Sequence, residues 1–274
     1  MANLPRLALA TIATLTTTAA LMSPAPAQAA REPWSSMKQA RQVTDPRITE
    51  ASGLTRSTYA RSTIMVHNDS GDTSRFFALS RTGATRAVFT LPSAPHNDWE
   101  DAASGPHHTL WFGDIGDNSV HRSTISVIRV KEPRDLTSRS LASRTFTLRY
   151  PDGAHNAEAL MVRPRSGRVY IVTKDASGGH IYRAPKTLRA GAVNRLKKVA
   201  SAPATVTGAD FSPNGERFVL RTYTRAYLYR GVGKSAFRVI RLPSSGESIG
   251  YSRSGRAINI GSEGADQPIW RIDR

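Results

Sequence analysis

EALMVRPRSGRVYIVTKD, residues Glu158 to Asp175, is the stretch that decides the fold. It reads as a short apolar strand opening on an acidic residue, a turn carrying Pro164 and Gly167, and a second strand, VYIVT, that ends in the polar cluster Thr173-Lys174-Asp175. Runs rich in β-branched and aromatic residues, bounded by Gly and Pro, are strand signals. A hairpin of this kind cannot bury its own apolar faces, so its copies must stack or close into a ring.

Copies lie on both sides. Upstream are Glu50 to Ser70 (EASGLTRSTYARSTIMVHNDS) and Glu100 to Asn118 (EDAASGPHHTLWFGDIGDN), and downstream are Thr207 to Thr224 (TGADFSPNGERFVLRTYT) and Glu247 to Gly264 (ESIGYSRSGRAINIGSEG). Their starts are 50, 58, 49 and 40 residues apart, so five units fill the chain. Each unit has room for two more strands, and alternating runs supply them: Phe76 to Ser80 with Arg86 to Leu91, Thr124 to Val130 with Arg144 to Tyr150, His180 to Arg183 with Leu196 to Ala200, and Ala226 to Arg230 with Phe237 to Leu242. The last unit has only Ile269 to Ile272, and Gln39 to Val43 at the other end of the chain is the strand that would latch the ring and cover its open edge. The expected fold is an all-β propeller of five four-stranded blades closed by an N-terminal strand. A sixth blade would need an extra hairpin inside the long second unit. A β-sandwich gives no reason for the period, and no window has the 3.6-residue spacing of a helical solenoid.

Ahead of the first unit, Arg6 precedes the apolar, Thr-rich run Leu7 to Leu21, and Ala27-Gln28-Ala29 has the small-residue pattern of a cleavage site. Residues 1 to 29 are expected to be a signal peptide cleaved after Ala29, residues 30 to 274 a single propeller domain, and the product secreted. The apolar run is shorter than the about 20 residues a membrane span needs, and no transmembrane segment is expected after cleavage. The chain has no cysteine, which excludes disulfides, thiolate metal sites and a cysteine nucleophile.

The formal charge is +17, of which Arg6 is the only contribution from the leader. That excess favours anionic surroundings such as cell-envelope polymers, with nucleic acid a poor partner for an exported chain. The basic residues stand singly, as in Arg81, Arg86, Arg122, Arg129, Arg139 and Arg144, so no compact basic cluster is visible and a solvated surface accounts for them. A monomer is expected.

Consecutive antiparallel strands reverse direction, so the start of the innermost strand and the end of the second open on one face of the ring. The first set of positions is Glu50, Glu100, Glu158, Thr207 and Glu247, reinforced by Asp98, Asp101 and Asp210. The second is Asp69 in Asn68-Asp69-Ser70, Asp114, Asp117 and Asn118 in GDIGDN, Lys174, Arg221 and Glu263. Carboxylates crowded in a narrow mouth raise one another's pKa unless cations intervene. Lys174 and Arg221 would do so from within; a bound Ca²⁺ held by Glu50, Glu100, Asp114, Asp117, Asn118, Glu158 and Glu247 would do so from outside, because hard oxygen ligands suit that ion. Asp69, Asp98, Trp99, Lys174, Arg221 and Glu263 are the candidates for ligand contact. The competing reading is that the acids brace loops by accepting backbone N–H bonds. Other motifs fall away: there is no His-Glu-x-x-His and no Gly-x-Ser-x-Gly, the spacing Asn68, Ser70, Asp72 lacks the closing glutamate of a calcium loop, and Gly231-Val232-Gly233-Lys234 lacks phosphate-loop spacing.

The segments EASGL (Glu50 to Leu54), HNDSG (His67 to Gly71), DWEDAA (Asp98 to Ala103), GDIGDN (Gly113 to Asn118), AEAL (Ala157 to Leu160), GADFSPNG (Gly208 to Gly215) and GSEG (Gly261 to Gly264) resemble exported actinobacterial WD-like propeller proteins of unassigned function. More distantly the chain is similar to phytase-like and gluconolactonase-like propellers. That resemblance implies calcium at the channel mouth and, in the enzymes, cleavage of phosphate esters or lactones. Those enzymes typically have six blades, where five are counted here. Two functions follow: a secreted binding or interaction propeller that takes an unidentified ligand or metal at its acidic mouth, or a Ca²⁺-dependent phosphoester or lactone hydrolase with Glu100 or Glu158 as catalytic base.

Overall fold

The computed structural model describes residues 1, 34, 36–242 and 246–274; the expected leader lies outside the described residues apart from Met1. The ring starts with β1 (Lys38–Gln42). Blade one is β2 (Ala51–Arg56), β3 (Ile64–Asn68), β4 (Arg75–Leu79) and β5 (Thr85–Thr90). Blade two has β6 (Trp99–Gly105), β7 (Thr109–Asp114) and β8 (Ile125–Lys131), then β9 (Arg139–Ser140), which leaves to pair elsewhere, and β10 (Ser143–Arg149). Blade three is β11 (Ala157–Val162), β12 (Val169–Thr173) and β13 (His180–Arg183), with β14 (Val193–Arg195) leaving in turn before β15 (Lys197–Ser201). Blade four is β16 (Val206–Phe211), β17 (Phe218–Thr222), β18 (Arg225–Tyr229) and β19 (Arg238–Arg241), and blade five is β20 (Ile249–Tyr251), β21 (Ala257–Ile260) and β22 (Pro268–Asp273). The last blade is completed by β1, antiparallel to β22 with Lys38 opposite Arg271. The expected latch is thus present, one residue from its expected position.

Two blades have five strands. β9 adds in parallel to β5 of blade one, and β14 adds in parallel to β10 of blade two. Each covers the outer edge of the preceding blade, an edge that would otherwise present unpaired backbone groups. The extra length of the second unit is spent on this excursion, not on a sixth blade.

Burial follows position in the blade. The inner strands β11 and β12 are buried at every residue, because neighbouring blades press on both faces. The outer strands β5 and β10 alternate buried with half-buried or exposed residues, so only one face is covered. Five apolar clusters fill the five seams. Phe76, Phe89, Trp99 and Phe112 lie between blades one and two; Phe146, Leu160, Ile171 and Tyr182 between two and three. Val43, Ile48, Leu54 and Ile269 seal blade five to blade one, beside the pairing of β1 with β22.

Polar pins hold the inner strands about the axis. Asp101 on β6 is fully buried, and its Oδ2 accepts the backbone N–H groups of Leu160 on β11 (2.9 Å) and Ala209 on β16 (3.1 Å). Asp210 on β16 takes the Arg56 guanidinium from β2 at 2.6 Å and the Tyr251 N–H from β20 at 2.8 Å. One carboxylate therefore joins three inner strands, and a second joins β16 to the other two.

Candidate functional site

Four inner strands begin with a β-bulge. In blade one Ala51 pairs with Asn68 and Gly53 with His67, leaving Ser52 between; the same break leaves Glu100, Glu158 and Thr207 unpaired in blades two to four. A bulge adds one residue to one strand and re-aims its side chain, a device common beside functional sites. Glu247, immediately before Ser248 and β20, holds the matching place in blade five. The structural ring is thus Ser52, Glu100, Glu158, Thr207 and Glu247. Glu50, placed in that ring by the sequence alignment, lies two residues ahead of it and is exposed.

Carboxylate oxygens of Glu100, Glu158 and Glu247 all lie within 4.8 Å of one another, and those of Asp69, Asp98 and Glu100 do the same, so Glu100 belongs to both groups. The three glutamates are 2%, 4% and 8% exposed, too dry to disperse their charge into water. Burial above all, then the charges of Asp69, Glu158, Asp98 and Glu247, push Glu100 well above the usual carboxylate range. Burial and the charge of Glu158 push Glu247 up to about 8. Asp69 is pushed up to about 7, again by burial first, and Asp98 is raised by the same cause. The neighbouring Asp98 carboxyl adds to the rise at Asp69, and the neighbouring Glu263 carboxyl adds to the rise at Glu247.

Among the described residues, one cation is in salt-bridge reach of these acids. Lys174 Nζ donates to Glu158 Oε1 and lies 3.9 Å from Glu247 Oε1, with the Tyr223 ring beneath it. Although burial opposes its charge, the bonds to Glu158 and Tyr223 raise Lys174. Glu158 is raised as well, because its burial outweighs the ammonium. Asp69 Oδ1 and Glu158 Oε2 are buried with no hydrogen-bond partner. A donor set made only of carboxylate oxygens, two of them unsatisfied, fits a divalent cation.

Gly116 is what lets GDIGDN meet the cluster. A Cβ at this position would lie 2.2 Å from Asp98 Oδ2 and 2.3 Å from Glu100 Oε1, so the loop packs bare backbone against both acids. Its aspartates are braces. Asp114 accepts from Asp98 N–H (3.1 Å), Asn97 Nδ2 (3.1 Å) and Arg122 Nη2 (3.0 Å). Asp117 accepts the backbone N–H groups of His121 (3.0 Å) and Arg122 (2.8 Å). Asn118 is exposed and accepts from Asn156 at 3.0 Å. Among the described residues, Glu50, Asp114, Asp117 and Asn118 lie outside both carboxylate groups.

The remaining candidates divide. Asp69, Asp98 and Lys174 are at the mouth, and exposed Glu263 reaches it through Glu247. Trp99 is not: it is fully buried, stacked on Phe112 with centroids 5.0 Å apart, and its indole N–H is spent on the Pro95 carbonyl. Arg221 is also fully buried, donating through Nη1 to the carbonyls of Ser248 (2.7 Å) and Gly261 (2.6 Å). It ties blade four to blade five, and burial lowers its pKa to about 10.

No family model matches the chain, and no curated protein does. Among solved structures the chain is similar to a gluconolactonase from Xanthomonas campestris, with a TM-score of 0.51 and 14% identity over 89% of this chain and 99% of that one. At that identity the likeness is one of fold.

Proposed function

We propose that this protein is an exported, metal-dependent hydrolase of lactones or phosphoesters, with calcium as its ion. The observation that carries the reading is the convergence of Glu100, Glu158 and Glu247 with Asp69 and Asp98 at one mouth of the channel. Calcium is preferred to magnesium because irregular, carboxylate-rich sites suit its flexible coordination, whereas magnesium demands a near-ideal octahedron. Likeness of fold to a gluconolactonase supports the lactone class.

Glu100, Glu158, Asp69 and Asp98 would hold the ion, which when bound supplies a Lewis acid for the carbonyl or phosphoryl oxygen. Glu100 is the proposed base: it belongs to both carboxylate groups, so an oxygen not spent on the ion would be in reach of a water held there. Lys174 is placed to orient an anionic substrate oxygen. The same proposal includes cleavage after Ala29, residues 30 to 274 as one secreted propeller domain, and kinship with exported WD-like propellers.

A panel of lactones and phosphoesters tests this reading, assayed with calcium, with chelator, and with Glu100→Gln. Turnover that disappears with chelator and falls at least a hundredfold in the variant is expected. A second reading is favoured by Lys174, which already neutralises one glutamate: a propeller that only binds its ligand. Calcium binding by calorimetry with no turnover across the panel would select it.

A further inference from the structure

The inner strands carry their acids at one end and arginines at the other. β2 begins beside the acidic mouth at Ala51 and ends at Arg56, so the β2–β3 and β20–β21 connections lie on the opposite face. There, across the seam where blade five meets blade one, a groove of about 1090 Å³ is lined by β1, these two connections and the β4–β5 turn. No described residue lining it is acidic, although seven are Lys or Arg. They come from five separate stretches of sequence, which is why no basic cluster shows in the linear chain.

Counter-ions for these cations are few. Arg56 is committed to Asp210, and Lys38 (2.7 Å) and Arg271 (2.6 Å) share Asp273. Arg41, Arg61, Arg81 and Arg253 have no carboxylate within salt-bridge distance among the described residues. Arg41 is only 9% exposed; it donates to the carbonyls of Ser80 and Ser62, and the charge of Arg271 adds to burial in lowering its pKa. Arg61, Arg81 and Arg253 stand exposed around it. Like charges gathered without counter-ions cost stability, and an anion would relieve them. The groove exceeds the roughly 300–1,000 Å³ that encloses a drug-sized ligand, so one small anion would leave most of it empty. Guanidinium forks match phosphate oxygens in paired hydrogen bonds.

We infer that this groove binds an extended polyanion whose repeating charge is phosphate, laid across the blade-five to blade-one seam on the face opposite the acidic mouth. The site is independent of any reaction at that mouth.

Inorganic polyphosphate of defined chain length is the probe, its binding to the purified protein followed by calorimetry between 50 and 200 mM salt. With the three exposed arginines engaged, affinity should fall about 20-fold over that range. The triple variant R61E/R81E/R253E should weaken binding at least tenfold more than R144E/R165E/R189E, which removes the same charge from exposed positions elsewhere. The neutral set R61Q/R81Q/R253Q should fall between wild type and the reversed set, and a cooperative melt no lower than that of wild type confirms that each variant is folded. Equal losses in the groove and remote sets would mean that net charge alone attracts the polymer, and would overturn the site. Displacement of the polymer by orthophosphate at equal phosphate concentration would overturn the extended ligand.

Discussion

Replacing Glu247 by Gln removes one charge from a mouth where, among the described residues, five carboxyls have one ammonium in salt-bridge reach, and its effect on stability should depend on pH. In the fold the Glu247 carboxyl is 8% exposed and pushed up to about 8, from an ordinary value of 4.5, by burial and then by Glu158. Folding therefore takes up a proton between these two values. The stability this carboxyl lends is complete below about pH 4.5 and is lost as pH rises through about 8. At about 1.4 kcal/mol for each tenfold change in proton affinity, the loss is at most about 5 kcal/mol. Asp69, Glu100 and Glu158 are raised by the same burial and shared charge, and movement of any one relieves the others, so we expect about 2 kcal/mol. In a domain of this size that is roughly 4–8 °C in Tm. The assay is a series of thermal melts in chelator from pH 5 to 8.5. Wild type should lose stability across the series; Glu247→Gln should match it at pH 5 and melt higher at pH 8.5. Adding calcium at pH 8.5 should raise wild type more than the variant. A flat wild-type series, or a variant that melts lower at pH 8.5, would refute the assignment of Glu247 as a buried, repelled acid.

Gly116→Ala drives a methyl into Asp98 and Glu100, and should weaken divalent-cation binding at least tenfold by calorimetry, at about 1–3 kcal/mol of overpacking. Asp101→Ala leaves the N–H groups of Leu160, Ala209 and Ala102 without their acceptor, and should cost at least about 3 kcal/mol in urea unfolding. Arg56→Ala strands the buried Asp210 carboxylate, and the same measurement should show a loss of about 3–5 kcal/mol. Deleting β1 exposes the β22 edge and the Ile269 seam; light scattering should detect association at concentrations where the intact chain stays monodisperse.

Strands and ring were legible because they rest on local chemistry repeated five times. The run Gln39 to Val43 could be named as a latch from arithmetic alone: four blades had four strands and the fifth had three. β9 and β14 were not legible, since two or three residues carry no period and their pairing is set by a neighbouring blade. The acidic ring was misread at one position. EASGL offered a glutamate at Glu50, but the bulge at Ser52 sets the register, and bulges have no local sequence mark. Alignment on the apolar residue two places on, Leu54, Leu160 and Ile249, would have matched Ser52 with Glu158 and Glu247. Trp99 and Arg221 were placed near the mouth by their position along the strand, which fixes height along the axis but not which side of the sheet a side chain takes.

Charge segregation is a consequence of the ring that the linear sequence hides. Inner strands all run the same way, so an acid at the start of one and an arginine at the end of another are sorted to opposite faces whatever their distance in sequence. β2 is six residues long, about 20 Å at roughly 3.3 Å per residue. Between solvent-facing charges at physiological ionic strength the screening length is about 8 Å, so the basic groove does little to neutralise the acidic mouth. Each end must find its own counter-ion. Lys174 meets part of that need at the mouth and Asp273 part of it at the groove, and what remains unmet is of opposite sign at the two ends. A cation at one face and an anion at the other satisfy both, and their effects on stability should add, because sites this far apart share no partner.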